Sequence, residues 1–83
     1  MQQAIINVTI MVRDYDEASA FYTQILGFIL LEDTDLGEGK RWVRVSPPGS
    51  TGTTLLLAQA TNPKQISRIG DQTGGRVFLF LQT

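Results

Sequence analysis

Chemistry in this chain has to come from amides, hydroxyls, guanidinium groups and carboxylates, because its 83 residues include no histidine and no cysteine. Imidazole and thiolate metal ligands, thiol nucleophiles and every Ser-His or Cys-His pair are therefore absent. Three groupings remain. Asn7, Thr9 and Met11 recur at every second position, so on a strand they share one face and can floor a ligand cleft. Trp42 and Arg44 alternate in the same way, and an aromatic platform beside a guanidinium suits a planar or anionic ligand. Gln59 can both donate and accept, and it shares a strand face with Leu55 and Leu57.

Each grouping also has a structural reading. The Asn7 face can pack against a second sheet, Trp42 can anchor a subunit interface, and Gln59 can be a solvated strand end. Tyr15 and Tyr22 have no base beside them in sequence, so packing explains them better than acid catalysis. Glu32, Asp33, Asp35 and Glu38 lack the alternating oxygen ligands and closing glutamate of a calcium loop, and read as a solvated acidic loop. Gly37-Glu38-Gly39-Lys40 lacks the glycine spacing of a phosphate loop. No residue is assigned a catalytic role, and neither a metal nor a cofactor is expected.

Strands and one helix must position these side chains. Residues 4–13 alternate as a β-branched strand, with Ala4, Ile6, Val8, Ile10 and Val12 on an apolar face that calls for a helix. Asp14 is a good N-cap, Glu17 completes a capping-box-like pair, and Ala18, Phe21, Tyr22 and Ile25 form a helical apolar stripe ended by Gly27. Residues 28–33 predict a second strand, 34–40 a loop, 41–46 a third strand and 53–60 a fourth, with Pro47-Pro48-Gly49-Ser50 as a break. Asn62-Pro63 opens a polar connection with a short helical turn through Ser67 to Gly70, and residues 76–82 predict a final strand.

Hydrophobic residues make up 42% of the chain and charged ones 18%, which fits a folded domain rather than a disordered chain. Seven basic against eight acidic residues, with no basic cluster, argue against nucleic acid as a partner. Met1-Gln2-Gln3 carries no positive flank, and Asn7, Thr9 and Arg13 interrupt the apolar stretch that follows. It therefore reads as neither signal peptide nor membrane span, and a cytoplasmic location is expected. A chain this short buries little surface, and without cysteine the staple left to it is oligomerisation.

The succession of strand, Asp14-Tyr15-Asp16-Glu17-Ala18, Phe21-Tyr22 and Leu26-Gly27-Phe28 resembles the first βαβββ module of the glyoxalase/bleomycin resistance/dioxygenase (vicinal oxygen chelate) superfamily. Residues 39–43 and 53–60 are similar to that module's third and fourth strands, and 74–83 to the opening of a second module. The resemblance implies an α+β fold: a module over residues 4–60, a connection over 61–75 and an extra strand over 76–82, so about one module and a strand. Family members usually carry two modules that share a cleft. By that measure modules here pair between chains, as a homodimer or homotetramer. The apolar run Val77, Phe78, Leu79, Phe80 and Leu81 would form the interface and exchange between copies.

Metal-dependent relatives place a histidine in the first strand where this chain has Asn7. On the fourth strand, where a glutamate or histidine is usual, this chain has Leu57, Ala58 and Gln59. The resemblance without those ligands implies a protein that binds a small hydrophobic or aromatic molecule without a metal. The alternatives are a metal-dependent lyase or dioxygenase, and a truncated scaffold with no activity.

Overall fold

The computed structural model describes residues 2–83; Met1, read above as part of the uncharged start, lies outside them. Its order is β1 (Asn7–Val12), α1 (Tyr15–Ala20) running into a wider helical turn (Phe21–Ile25), β2 (Ile29–Gly37), β3 (Lys40–Ser46), β4 (Thr54–Gln59) and α2 (Pro63–Ile66). The four strands form one sheet in the order β1-β4-β3-β2. β1 and β4 run parallel, and the other two pairs are antiparallel. The observed order is the expected βαβββ succession.

The helix begins as its sequence dictates, with the Asp14 carboxylate accepting from Glu17 N–H at 2.8 Å. Its end differs from a plain α-helix. Leu26 N–H donates to Phe21 C=O at 3.1 Å, a five-residue span that turns the chain less per residue. Ala18 and Tyr22 still pack on the core, but Ile25 drifts off the stripe and is 72% exposed. Gly27 takes φ 76° and reverses the chain, so that Phe28 N–H donates back to Tyr22 C=O at 2.8 Å.

The core lies between this helix and the sheet. Val12, Tyr15, Phe28, Val43, Val45, Leu55 and Leu57 are buried there, flanked by Val8 and Ile10. Full burial of a Val or Leu side chain contributes about 1.5–3 kcal/mol, and Val43, Val45 and Leu57 meet that condition. The helix thus covers the apolar face of β1 as its alternation demands.

Three expectations need correction. The loop expected over 34–40 is instead a β-hairpin: β2 continues to Gly37, which pairs with Lys40 across a two-residue turn. Glu38 (φ 55°) and Gly39 (φ 78°) both have positive φ, the signature of the I′ turn whose twist suits a hairpin. The helical turn of the 61–75 connection starts earlier than expected, at Pro63, where the Asn62 side chain accepts from Gln65 N–H at 2.8 Å. Residues 77–83 join no ladder, so the strand expected over 76–82 is not formed in the single chain. Among the described residues no helix is long and apolar enough to cross a membrane.

Candidate functional site

The helix leaves the opposite face of the sheet open. Register decides which residues meet there: Asn7 pairs with Thr54, Thr9 with Leu56, Met11 with Ala58, Arg44 with Leu56 and with Glu32, and Trp42 with Thr34. Side chains on paired residues share a face, so Asn7, Thr9, Met11, Trp42 and Arg44 come together on it. Gln59 does not join them. It pairs with Val12, on the helix side, and its amide donates to Arg13 C=O at 3.3 Å.

The open face is polar at one end and apolar at the other. At the polar end a hydrogen-bonded row crosses all four strands. Thr54 donates its hydroxyl to Asn7 Oδ1 at 2.5 Å; Arg44 Nη1 donates to Thr54 Oγ1 at 3.5 Å and Arg44 Nε to Glu32 Oε1 at 3.0 Å. Arg44 and Glu32 are about a third exposed, so their charges offset each other at the surface and Arg44 is held flat along the sheet. Thr54 is buried and orders both neighbours. With Oδ1 taken by Thr54, the Asn7 NH₂ is left as the donor a ligand can meet.

Met11, Trp42, Leu56 and Ala58 form the apolar end. They line one side of a depression of about 270 Å³ at the end of the sheet, which also reaches Tyr15, Leu57 and Gln59 of the helix side and is bordered by Arg41 and Gln65. Trp42 is 36% exposed, enough to offer a ring face. Gln59 therefore touches the rim from the other side of β4 rather than the floor. Thr54, Leu56, Ala58 and Glu32 belong to this face, though composition pointed to none of them as site residues. The signal was the alternation of β4, readable only once its register with β1 was known.

The remaining candidates resolve as structure. Tyr15 is buried beneath Arg41, whose guanidinium lies 5.2 Å from the ring centroid. Burial raises the Tyr22 hydroxyl above its ordinary pKa of 10.0, so it stays neutral in the core beside Phe28. Glu32 and Asp33 pair with Arg44 and Arg41, and Asp35 accepts from Gly37 N–H at 2.8 Å to brace the hairpin turn. Among the described residues no three His, Cys, Asp or Glu side chains converge. At the position where metal-dependent relatives carry histidine, Asn7 offers a neutral amide oxygen that already accepts one hydrogen bond from Thr54, a weaker ligand than imidazole for a divalent ion.

Comparison with known proteins places the fold. A family model described as the Glyoxalase/Bleomycin resistance protein/Dioxygenase superfamily matches residues 4–83. An uncharacterized protein of Shewanella frigidimarina (strain NCIMB 400) is 57% identical over 84 residues, covering 100% of this chain and 62% of its own length. The crystal structure of UcmS2 aligns with TM-score 0.68 and 38% identity over 77% of this chain and 47% of that one. The crystal structure of TnmS3, described as an antibiotic binding protein from Streptomyces sp. CB03234, aligns with TM-score 0.63 and 31% identity, covering 77% of this chain and 50% of that one. This chain thus spans less than two thirds of the length of each of these relatives.

Proposed function

The chain belongs to the Glyoxalase/Bleomycin resistance protein/Dioxygenase superfamily, and from that premise we propose that it binds a planar, amphipathic aromatic molecule on the open face of its sheet, without a metal. The carrying observation is the row Asn7-Thr54-Arg44-Glu32 set beside the Trp42 and Met11 floor. The aromatic part stacks on Trp42, and a hydroxyl or carbonyl at the other end meets Arg44 and the Asn7 amide. Because Glu32 offsets Arg44, the favoured ligand is neutral. TnmS3, described as antibiotic binding, supports small-molecule capture as the activity.

One sheet face is half a cleft. In this reading the second half comes from another copy, as a homodimer, or a homotetramer if residues 77–81 add an interface, working in the cytoplasm. The exposure of Val77, Leu79, Phe80 and Leu81 supports that cover.

The chain has a single tryptophan, so its fluorescence reports on this face alone. The test is a titration of the emission with a neutral polyhydroxylated flavonoid, an anionic naphthalene sulfonate and a cationic acridine. Light scattering on the same samples reads the assembly. Saturable quenching strongest for the neutral probe, weakened about tenfold in Arg44→Met, is expected from a dimer or tetramer. Linear, unsaturated responses to all three would overturn the binding reading in favour of a scaffold. A compact monomer that still binds would remove the shared cleft.

A further inference from the structure

β1 is an edge strand whose outer side is covered by one side chain from a distant part of the sequence. Ile6 and Val12 turn their carbonyls toward β4, accepting from Thr54 N–H and Ala60 N–H at 2.9 Å each. With a repeat of two, the peptide groups of Asn7, Thr9 and Met11 face outward. Gln72, in the loop after α2, meets two of them with one carboxamide. Its Nε2 donates to Thr9 C=O at 3.0 Å, and its Oε1 accepts from Met11 N–H at 3.2 Å.

That pairing has a particular geometry. A residue on a parallel neighbouring strand donates to the C=O of one residue and accepts from the N–H two residues on. The Gln72 carboxamide does the same around Ile10, standing where the N–H and C=O of one residue of a fifth strand would stand.

We propose that Gln72 is an edge guard, a side-chain amide that satisfies β1 and holds off an incoming extended strand. The strand it excludes is the run 77–81 of a second copy. In its own chain this run follows a turn in which Arg76 N–H donates to Thr73 Oγ1 at 3.0 Å and the Thr73 hydroxyl donates to Arg76 C=O, and it joins no ladder. The run is wholly apolar and has no ladder partner; Phe80 is 90% exposed and Val77 67%. Phe78 and Leu79 share a cavity of about 390 Å³ with Ile10, Tyr22 and Gln72, which places the run beside the edge it would join. This surface is the rim of the sheet, separate from the open face, and the inference stands whether or not a ligand binds there.

The test uses the 83-residue chain and two variants. Gln72→Leu removes both hydrogen bonds; Gln72→Glu keeps the Met11 bond but presents no hydrogen to Thr9. Exchange of the Met11 amide with deuterium, followed by NMR, reads the guard. Sedimentation over about a hundredfold range of concentration reads association, and circular dichroism checks that the fold persists. The expected result is Met11 exchange at least about tenfold faster in Gln72→Leu, with a larger, concentration-dependent mass than wild type. Gln72→Glu should keep Met11 protected and associate to an intermediate degree. Adding Leu79→Pro to Gln72→Leu removes a strand N–H and should return the mass to the wild-type value. Unchanged Met11 exchange in Gln72→Leu, or faster exchange with unchanged mass, would overturn the guard. Association that survives Leu79→Pro would overturn 77–81 as the strand.

Discussion

Arg44 Nε lies 3.0 Å from Glu32 Oε1, joining β3 to β2 on the face opposite the helix. The pair has two consequences. It holds the guanidinium along the sheet, where it reaches Thr54, and it keeps the polar end of the open face close to neutral. Residues of this face are therefore testable through charge as well as through contact.

Glu32→Gln leaves Arg44 its geometry but removes the offsetting charge. An anionic naphthalene sulfonate should then bind about fivefold tighter, the factor that ~1 kcal/mol at an exposed pair represents. The neutral flavonoid should change little. Equal affinity of the anionic probe for both proteins, read by Trp42 fluorescence, would show that Glu32 does not set the preference.

Acid should reveal the clamp on the helix side. Arg41 donates to Asp33 at 2.6 Å and to Asp16 at 2.9 Å, joining β3, β2 and α1. The hydrogen bond from Arg41 holds the Asp33 carboxyl below its ordinary 3.8. A depressed carboxyl contributes stability that is complete above its unfolded pKa and lost as pH falls through its folded one. Urea midpoints should therefore fall below about pH 4, and Arg41→Met should flatten that part of the profile. Parallel profiles for the two proteins would rule out this pair as the source.

Gly27 has φ 76°, and a methyl group added there would meet no atom within 4 Å. The cost of Gly27→Ala is thus a backbone cost, about 1–2 kcal/mol. For a domain of this size it corresponds to a melting point lower by roughly 4–16 °C. Gly27→Asn should lose less, because asparagine tolerates that conformation better. A thermal scan that ranks the two variants the other way contradicts the backbone account.

Leu57 is 1% exposed at the centre of the sheet. Leu57→Ala should cost about 2–5 kcal/mol. An 83-residue domain has roughly 4–12 kcal/mol in all, so the variant should lose a large share of its stability and melt well below wild type in a circular dichroism scan. Leu56→Ala, on the open face one residue earlier, should cost much less.

Much of this protein was fixed by local chemistry in the sequence. Asp14 caps because its carboxylate reaches an orphan N–H two or three residues on, and Gly27 exits because only glycine takes positive φ cheaply. Alternation in residues 7–12, 40–46 and 54–59 separates two faces because the strand period is two. Those short-range facts carried the βαβββ order and the shared face of Asn7, Thr9 and Met11. Less legible was the hairpin at Glu38-Gly39, where two glycines among acidic residues read as a loop although both turn positions take positive φ. Period alone cannot say which face of one strand matches which face of the next. Only the pairing register put Arg44 beside Glu32 and Thr54, moved Gln59 to the helix side, and brought Gln72 to the backbone of Thr9 and Met11. Those contacts join residues up to 63 positions apart in the chain, and only the closed sheet brings them within hydrogen-bonding distance.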